Sequence, residues 1–497
     1  MVRTARANTG GVGSWLHLPR CPLRDHRSKR PRVLGIHERG VDVVDLYTYE
    51  FDAYNERYRY RGEWEEIETR TEEVEVADGE NRSVEVRKTV HGPLIEREDE
   101  QIGVAWTGFT ASRTVEAVHG FAHSENADEF LDSLEDFDLP PQSLVYADDE
   151  EAIYHLTGKL PIRRTPDGEA VPGNTVFDGS EPEAEWEGYT PFGESSWDGF
   201  IPFDEKPHVH DADYIATANQ RIADDPSYYL GTSYMGPERG KRIYDVLDEA
   251  AANDDPMDIP FHEDLQTDVR DERAARVVDD IVAAVEAEGG SGATADAADL
   301  LAGWDYRMVR DSEAALIFAI WMDHFATEVV TDQYEEAGLD VSKPIDWVVL
   351  NLPPDSGFFE NRSRDATIVA ALEAALSEID EAGWSTYGDW NTTRGVTHPF
   401  GQQVPFLNYP VLPADGSRGT VNNFRVEQPG QDFAAGTSLR MIDQPGGGSS
   451  AILPGGNSGD YFSDHYQDQF DEFLAGEYRS MDRSIDGDLV TTFEEEA

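Results

Sequence analysis

The chain has 497 residues, a net charge of -60 from 100 acidic against 40 basic side chains, and a mean hydropathy of -0.56. Such a charge repels nucleic acid and anionic membranes and excludes both as partners. Only six of the basic residues are Lys and 34 are Arg; an acidic, Lys-poor surface suits molar salt, where repulsion is screened within roughly 3 Å, so a salt-rich setting is expected.

The balance is uneven along the chain. Residues 1–40 hold nine Lys/Arg and two acidic residues, a net of +7, whereas residues 41–497 hold 31 and 98, a net of -67. Cys21, the single cysteine, lies in the basic piece, so no disulfide framework is available. That piece lacks the 7–15-residue apolar core of a signal peptide, and the compartment stays open. At the seam, "GVDVVDLYTYEF" (40–51) reads as a buried strand. Further strands are expected in "RSVEVRKTVHGPLI" (82–95) and "IGVAWTGFT" (102–110), broken by turn pairs such as Asp78-Gly79. A helix is predicted over 125–137, with Phe130, Leu131 and Leu134 at helical spacing and Pro140-Pro141 ending it. "QSLVYADDEEAIYHL" (142–156) reads as two short strands around an acidic turn.

From about 240 to 385 the period becomes helical. Val269, Val277, Val278, Ile281, Val282 and Val285 form an apolar stripe, "AEGGSGATADA" (287–297) reads as a flexible link, and helices follow at about 312–330 and 364–382. The longest apolar run, "AALIFAIWM" (314–322), is about half of the ~20 residues that span a membrane. From 386 the chain returns to strands and Gly/Pro-rich loops. Strands, a helical insertion and strands again point to an α+β fold.

The polar residues alone leave alternatives open. In "YIATANQR" (214–221), Asn219 follows an apolar strand, where its amide suits either an oxyanion donor or a turn cap. In "MGPERGKR" (235–242), Arg239 suits either bidentate carboxylate binding or a solvated loop. Asp42 and Asp45 are hard oxygen ligands of the kind calcium takes, among many other carboxylates. The histidines read as scattered, without a zinc pattern, and there is neither a phosphate-cradling Gly loop opening a helix nor a Gly-x-Ser-x-Gly elbow.

A series of stretches, collinear over about 41–481, resembles the β-subunit of the penicillin acylase (penicillin amidase) family of N-terminal-nucleophile (Ntn) hydrolases. They include "DVVDLYTYEF", "TVHGPLI" (89–95), "AWTGF" (105–109), "PPQSLVYADDEEAIYHLTGKLPIRR" (140–164), "VPG" (171–173) and "WDGFIPFDEKP" (197–207). "IATANQR" (215–221), "GWDYRMVRDS" (303–312), "TVNNF" (420–424) and "GGNSGDYFSDHYQDQ" (455–469) continue the series. The resemblance implies an Ntn-hydrolase αββα sandwich, here the incomplete β-subunit part with a helical insertion. It also implies hydrolysis of a carbon–nitrogen bond in a small linear N-acyl amide, with penicillin, cephalosporin and acyl-homoserine lactone types open as substrates. In the family a serine freed by self-cleavage attacks the acyl carbon, with its own α-amino group as base. Asn219 matches the family's oxyanion Asn, Arg239 resembles its active-site arginine, and Asp42 and Asp45 resemble two ligands of a structural calcium. A third family carboxylate, near position 228, is matched here by Tyr228 or Tyr229.

Nothing before the seam fits the family. Its nucleophile lies upstream, and a Trp-Gly-x-Thr-Asn-type loop should precede "GVDVVD", where "GIHER" stands. Gly13-Ser14-Trp15 resembles a cleavage pair, but the residues after Ser14 and its distance from the seam do not match. An Arg-rich, acid-poor piece is what a GC-rich gene gives in the wrong frame. Residues 1–40 are therefore expected to be a frameshifted, basic segment, 41–481 the family region and 482–497 an acidic tail. A misplaced start or a decayed gene would give the same seam, and the rival reading is a genuine basic extension; the functional alternative is a non-catalytic fragment, or a subunit needing a separately encoded partner. The expected partners are an α-subunit and the first part of the β-subunit, carrying the nucleophile.

Overall fold

The computed structural model describes residues 7–8, 33–38 and 40–481, except 78, 98–99, 149, 166, 182–183, 197, 211, 225–226, 332, 335–336, 338–345, 397, 399, 427–433 and 446–447. For 7–8, 33–38, 425–426 and 434–435 it describes the backbone alone. Ser14, Cys21, Asp78 and the 482–497 tail lie outside the described residues, as does most of the 1–40 segment. Among the described residues, the first of two compact units holds 34–235, and the second holds 236–481 together with 7–8 and 33.

In the first unit, the stretch at the seam forms strand Val44–Thr48, whose side chains alternate between outward and buried. The period of two sends Asp45 and Tyr47 inward, both fully buried. This strand pairs antiparallel with Glu100–Trp106 and parallel with Val176–Asp178. The sheet continues through Gly92–Arg97, Arg82–Thr89 and Glu68–Val74. The predicted 82–95 stretch is thus a hairpin, Thr89 facing Gly92 across a two-residue turn. Gly92 has φ +141, and a Cβ there would sit 2.0 Å from the Val104 carbonyl oxygen, so only glycine fits.

A second sheet has the order His208–His210, Ala152–Leu156, Gln142–Ala147, Val33–Glu38. The predicted pair in 142–156 forms its centre, Tyr146 opposite Ile153. The predicted helix spans Ala127–Leu134, its first turn held by the Asn126 side chain accepting from the Glu129 N–H. With helix Thr114–His123 it buries Phe121, Phe130 and Leu134 against Leu144, Tyr146 and Ile153.

The second unit begins with the expected helical run. Helices Glu238–Ala252, Ile259–Gln266, Glu272–Ala287, Ala293–Ala302, Glu313–Ala326 and Arg364–Ala382 carry it. Of the stripe, Val269, Val277, Val278, Ile281 and Val285 are buried and Val282 packs at the edge. The expected flexible link shrinks to a turn at 288–292, because residues from Ala293 onward are already helical. Capping set the true start: Ala-rich sequence propagates a helix as soon as Gly292, at φ +60, has turned the chain. The apolar run becomes the central helix, continued by a π-turn at Thr327–Thr331. Helix and π-turn together are long and apolar enough to cross a membrane, yet 67% of that stretch is buried inside the fold. Leu316, Phe318, Trp321 and Phe325 face Ile368 and Leu372 of the Arg364–Ala382 helix there. The tail holds a three-stranded sheet, Arg440–Asp443, Ser449–Ile452 and Arg479–Ser480, with a short helix, Phe470–Ala475, that the sequence pattern missed.

Candidate active site and carboxylate cluster

Asn219 follows the buried run Ile215–Ala218. Its φ of +60 is a left-handed conformation that asparagine tolerates better than most residues. The turn is pinned on both sides. The Met235 N–H donates to the Asn219 carbonyl at 3.0 Å, and the Ala218 N–H donates to the Gln220 side chain at 2.6 Å. A side-chain amide therefore sits on a fixed backbone at a strand end, the preorganisation an oxyanion donor requires.

Arg239 lies in the first turn of helix Glu238–Ala252, in the second unit. It shares the helix's buried face with Ile243, Leu247 and Ala250 and is 3% exposed. The neighbouring cations take other roles. Arg242 holds Asp268 through Nε at 3.0 Å and Nη2 at 2.5 Å, and Lys241 pairs with Asp245 one turn on. Burial also pushes the adjacent Glu238 carboxyl above its ordinary value.

Asp42 and Asp45 come together, and what joins them is a side chain that sequence reasoning did not single out. The Arg163 Nε donates to both Asp45 oxygens, at 2.7 and 2.9 Å. Its Nη2 reaches the Asp42 carbonyl at 3.1 Å and lies 3.5 Å from Asp42 Oδ1. Trp186 donates its indole N–H to Asp45 Oδ2 at 2.6 Å, and the Tyr229 hydroxyl donates to Asp42 Oδ2 at 3.1 Å. Tyr228 points elsewhere, to Glu205. Burial pushes the Asp45 carboxyl above its ordinary value, and the Arg163 guanidinium beside it opposes that rise. Arg163 was legible only as part of a quoted stretch, in "LPIRR" (160–164), and Trp186, in "EAEWEGY" (183–189), lay in none. No spacing rule links positions 45, 163, 186 and 229.

A cation of calcium type takes 6–8 oxygen ligands at 2.3–2.6 Å. Here both carboxylates already accept N–H and O–H donors, and a guanidinium lies between them. Among the described residues, no group of three or more His, Cys, Asp or Glu could hold a metal ion. The donor set does not fit a divalent ion, and no chemistry is routed through one. The histidines are not all scattered. His119 and His123 are four residues apart on one helix, with ring centroids 4.2 Å apart. Among the described residues, no third ligand joins them.

Behind Asp45 on the same sheet lies a second polar cluster. His91 stacks on Tyr47 at 3.9 Å, shares a 2.6 Å hydrogen bond with the Tyr49 hydroxyl and faces Glu185 at 3.3 Å. Tyr60 and Arg61 also donate to Glu185.

Residues 38–486 match the family model of Penicillin amidase. The chain belongs to the penicillin amidase family. Among curated members, it is 27% identical over 462 residues to penicillin acylase 2 proenzyme of Pseudomonas sp. (strain SE83), covering 86% of this chain and 56% of that protein. It is 23% identical over 515 residues to acyl-homoserine lactone acylase QuiP of Pseudomonas aeruginosa, covering 88% and 58%. The chain thus spans just over half the length of these relatives. A thermostable penicillin G acylase from Alcaligenes faecalis superposes with a TM-score of 0.65 at 16% identity, over 99% of this chain and 95% of that one. The architecture is therefore the α+β Ntn-hydrolase fold of this penicillin amidase relative.

Proposed function

We propose that this chain is the oxyanion-binding part of an N-acyl amide hydrolase adapted to molar salt, completed by an upstream segment that carries the nucleophile. The observation that supports it best is Asn219, a side-chain amide on a pinned left-handed turn at the end of a buried strand, within a chain of the penicillin amidase family. An N-terminal serine hydroxyl attacks the acyl carbon, and its proton passes to its own α-amino group. Negative charge gathers on the carbonyl oxygen, where the Asn219 amide N–H donates to it. The C–N bond breaks, the amine leaves protonated, and water hydrolyses the acyl ester to release the acid. From the resemblance alone, Arg239 is proposed separately as a carboxylate-binding arginine of the family type.

Small N-acyl amides are the substrate class. An acyl-homoserine lactone reading competes with a penicillin-type one, because relatives bearing both names match over most of the chain. The name "proenzyme" of one relative, and the share of its length beyond this match, support an upstream partner piece.

The test starts at the genomic locus. Translation upstream of codon 40 in all three frames should reveal an acidic frame with a Gly-Ser-Asn junction and a Trp-Gly-x-Thr loop. The extended gene, expressed in molar salt, should then release amine from penicillin G, a cephalosporin or an N-acyl-homoserine lactone. An extended or co-purified complex that binds such amides without turning any over would overturn the proposal.

A further inference from the structure

The Asp42–Asp45 loop carries an inference that is independent of catalysis. We propose that it is a metal-independent clasp, in which the Arg163 guanidinium is the bridging cation and Tyr229 stands where a third carboxylate would complete a divalent site. Four observations converge on this.

The first is charge. Arg163 is a permanent cation, its side chain only 1% exposed, in contact with a fully buried Asp45. A divalent ion seated between the same carboxylates would lie against that guanidinium and be repelled by it.

The second is the state of the oxygens. Asp45 Oδ2 receives both Arg163 and Trp186, and Asp45 Oδ1 receives Arg163. Asp42 Oδ2 receives the Tyr229 hydroxyl, Oδ1 the Val44 N–H at 3.3 Å, and the Asp42 carbonyl Arg163 Nη2. These lone pairs meet hydrogens, which a metal would have to displace.

The third is closure of the walls by backbone. A Cβ on Gly173 would lie 2.6 Å from Arg163 Nε, 2.7 Å from its Cζ and 2.7 Å from Asp42 Oδ2. Gly231, at φ +142, would bring one to 2.9 Å from the Gly40 carbonyl oxygen and 3.3 Å from the Asp42 nitrogen. The guanidinium is therefore held tightly in place, and the space is too small for a hydrated ion to enter beside it.

The fourth is aromatic cover. The guanidinium carbon lies 5.8 Å from the Trp186 ring centroid and 5.3 Å from that of Tyr229. Cation–π contact stabilises a monovalent organic cation here. Tyr229 thus contributes a donor and a ring face, where a carboxylate would have contributed ligands.

The experiment compares the purified protein in molar NaCl with EDTA, with calcium, and with magnesium in excess of calcium. Excess magnesium occupies the diffuse acidic surface, so calcium retained in equilibrium dialysis reports a specific site. The expected result is no stoichiometric calcium and the same melting temperature in EDTA and in calcium. One retained calcium ion per chain, or a melting temperature that rises and saturates with calcium, would overturn the proposal. In a second arm, Arg163→Met leaves two carboxylates facing each other. It should melt roughly 5–10 °C lower in EDTA and regain part of that loss with calcium but not with magnesium. Unchanged melting of Arg163→Met would sink the clasp. Should this variant fail to fold, the dialysis of the unaltered protein still decides.

Discussion

At the scale of single residues, the two halves of Asn219 can be separated. Its backbone needs a left-handed residue and its side chain offers the amide. Asn219→Ala removes the amide and also strains the turn, by about 1 kcal/mol. Asn219→Gly removes the amide alone, because glycine enters that region without strain. If the amide holds the oxyanion, both variants should lose about 10²–10³-fold in kcat, or about 3–4 kcal/mol of transition-state stabilisation, with KM little changed. Steady-state kinetics of the extended enzyme checks this. A glycine variant with full kcat would reduce Asn219 to a turn residue. Asn219 and the Asp42–Asp45 pair could be named from the sequence because each sits in a short local pattern. Arg163 and Trp186 could not, since they reach the pair from 118 and 141 positions away in the chain; Tyr229, 187 positions away, was named only through the resemblance, as one of two tyrosines at the third carboxylate's place. A buried Asp on the inward face of a strand signals that some partner must exist, but only the fold says which.

At the scale of elements, alternation and helical period located the strands at the seam and the 142–156 pair, and the Val277–Val285 stripe set its helix. What escaped were features decided by capping and tertiary packing, such as the start at Ala293 and the one-and-a-half-turn helix Phe470–Ala475. Polar clusters between elements set the acid response. Burial raises the Glu185 carboxyl, but hydrogen bonds from His91, Tyr60 and Arg61 outweigh it and hold it at about 2, below the ordinary 4.5. The folded protein therefore binds fewer protons than the unfolded chain as pH falls from 4.5 towards 2, and the stability present above 4.5 is lost across that window. His155 on Ala152–Leu156 acts with the same sign. Burial against Phe203 pushes its imidazole from 6.5 to about 4, so the unfolded chain protonates first and stability declines from 6.5 downward. Protonating the many surface carboxylates works the other way by relieving repulsion, so the measurement belongs in molar salt, where that repulsion is screened. Denaturant midpoints at constant salt should fall in two steps, near pH 6.5–4 and below 4.5. Glu185→Gln should flatten the lower step, with about 1–2 kcal/mol at stake after solvent screening of a partly exposed side chain. A midpoint that stays constant from pH 7 to 3 would contradict both assignments.

At the scale of the whole molecule, charge is the dominant fact. The chain carries -60, yet several of its arginines are buried or half-buried against carboxylates. Arg163 meets Asp45 and Asp42, Arg273 meets Asp271 and Asp346, and Arg310 meets Asp415. Arg364 meets Asp280, whereas the pairs of Arg479 with Asp468 and Glu472 stand at the surface. Arginine's planar fork suits such partly buried pairs better than a lysine ammonium does, which fits 34 Arg against six Lys. The surface left over is acidic, as on the fully exposed strand Glu68–Val74. These two populations respond differently to salt. Exposed carboxylates repel across roughly 10 Å at 0.1 M and roughly 3 Å at 1 M, whereas buried pairs are screened little at either. Stability should therefore rise steeply as salt increases from tenths of molar to about 1 M, as surface repulsion fades, and then flatten. Chloride salts of sodium and potassium should behave alike, because screening depends on ionic strength and not on a specific site. A sulfate salt should add a further, unsaturating gain through strengthened apolar burial. Melting temperature against salt concentration, read for each salt, separates the contributions. A curve that is flat or falls from 0.1 to 1 M would mean that the buried arginine pairs already offset the acidic surface, and the salt-adapted reading would have to be given up.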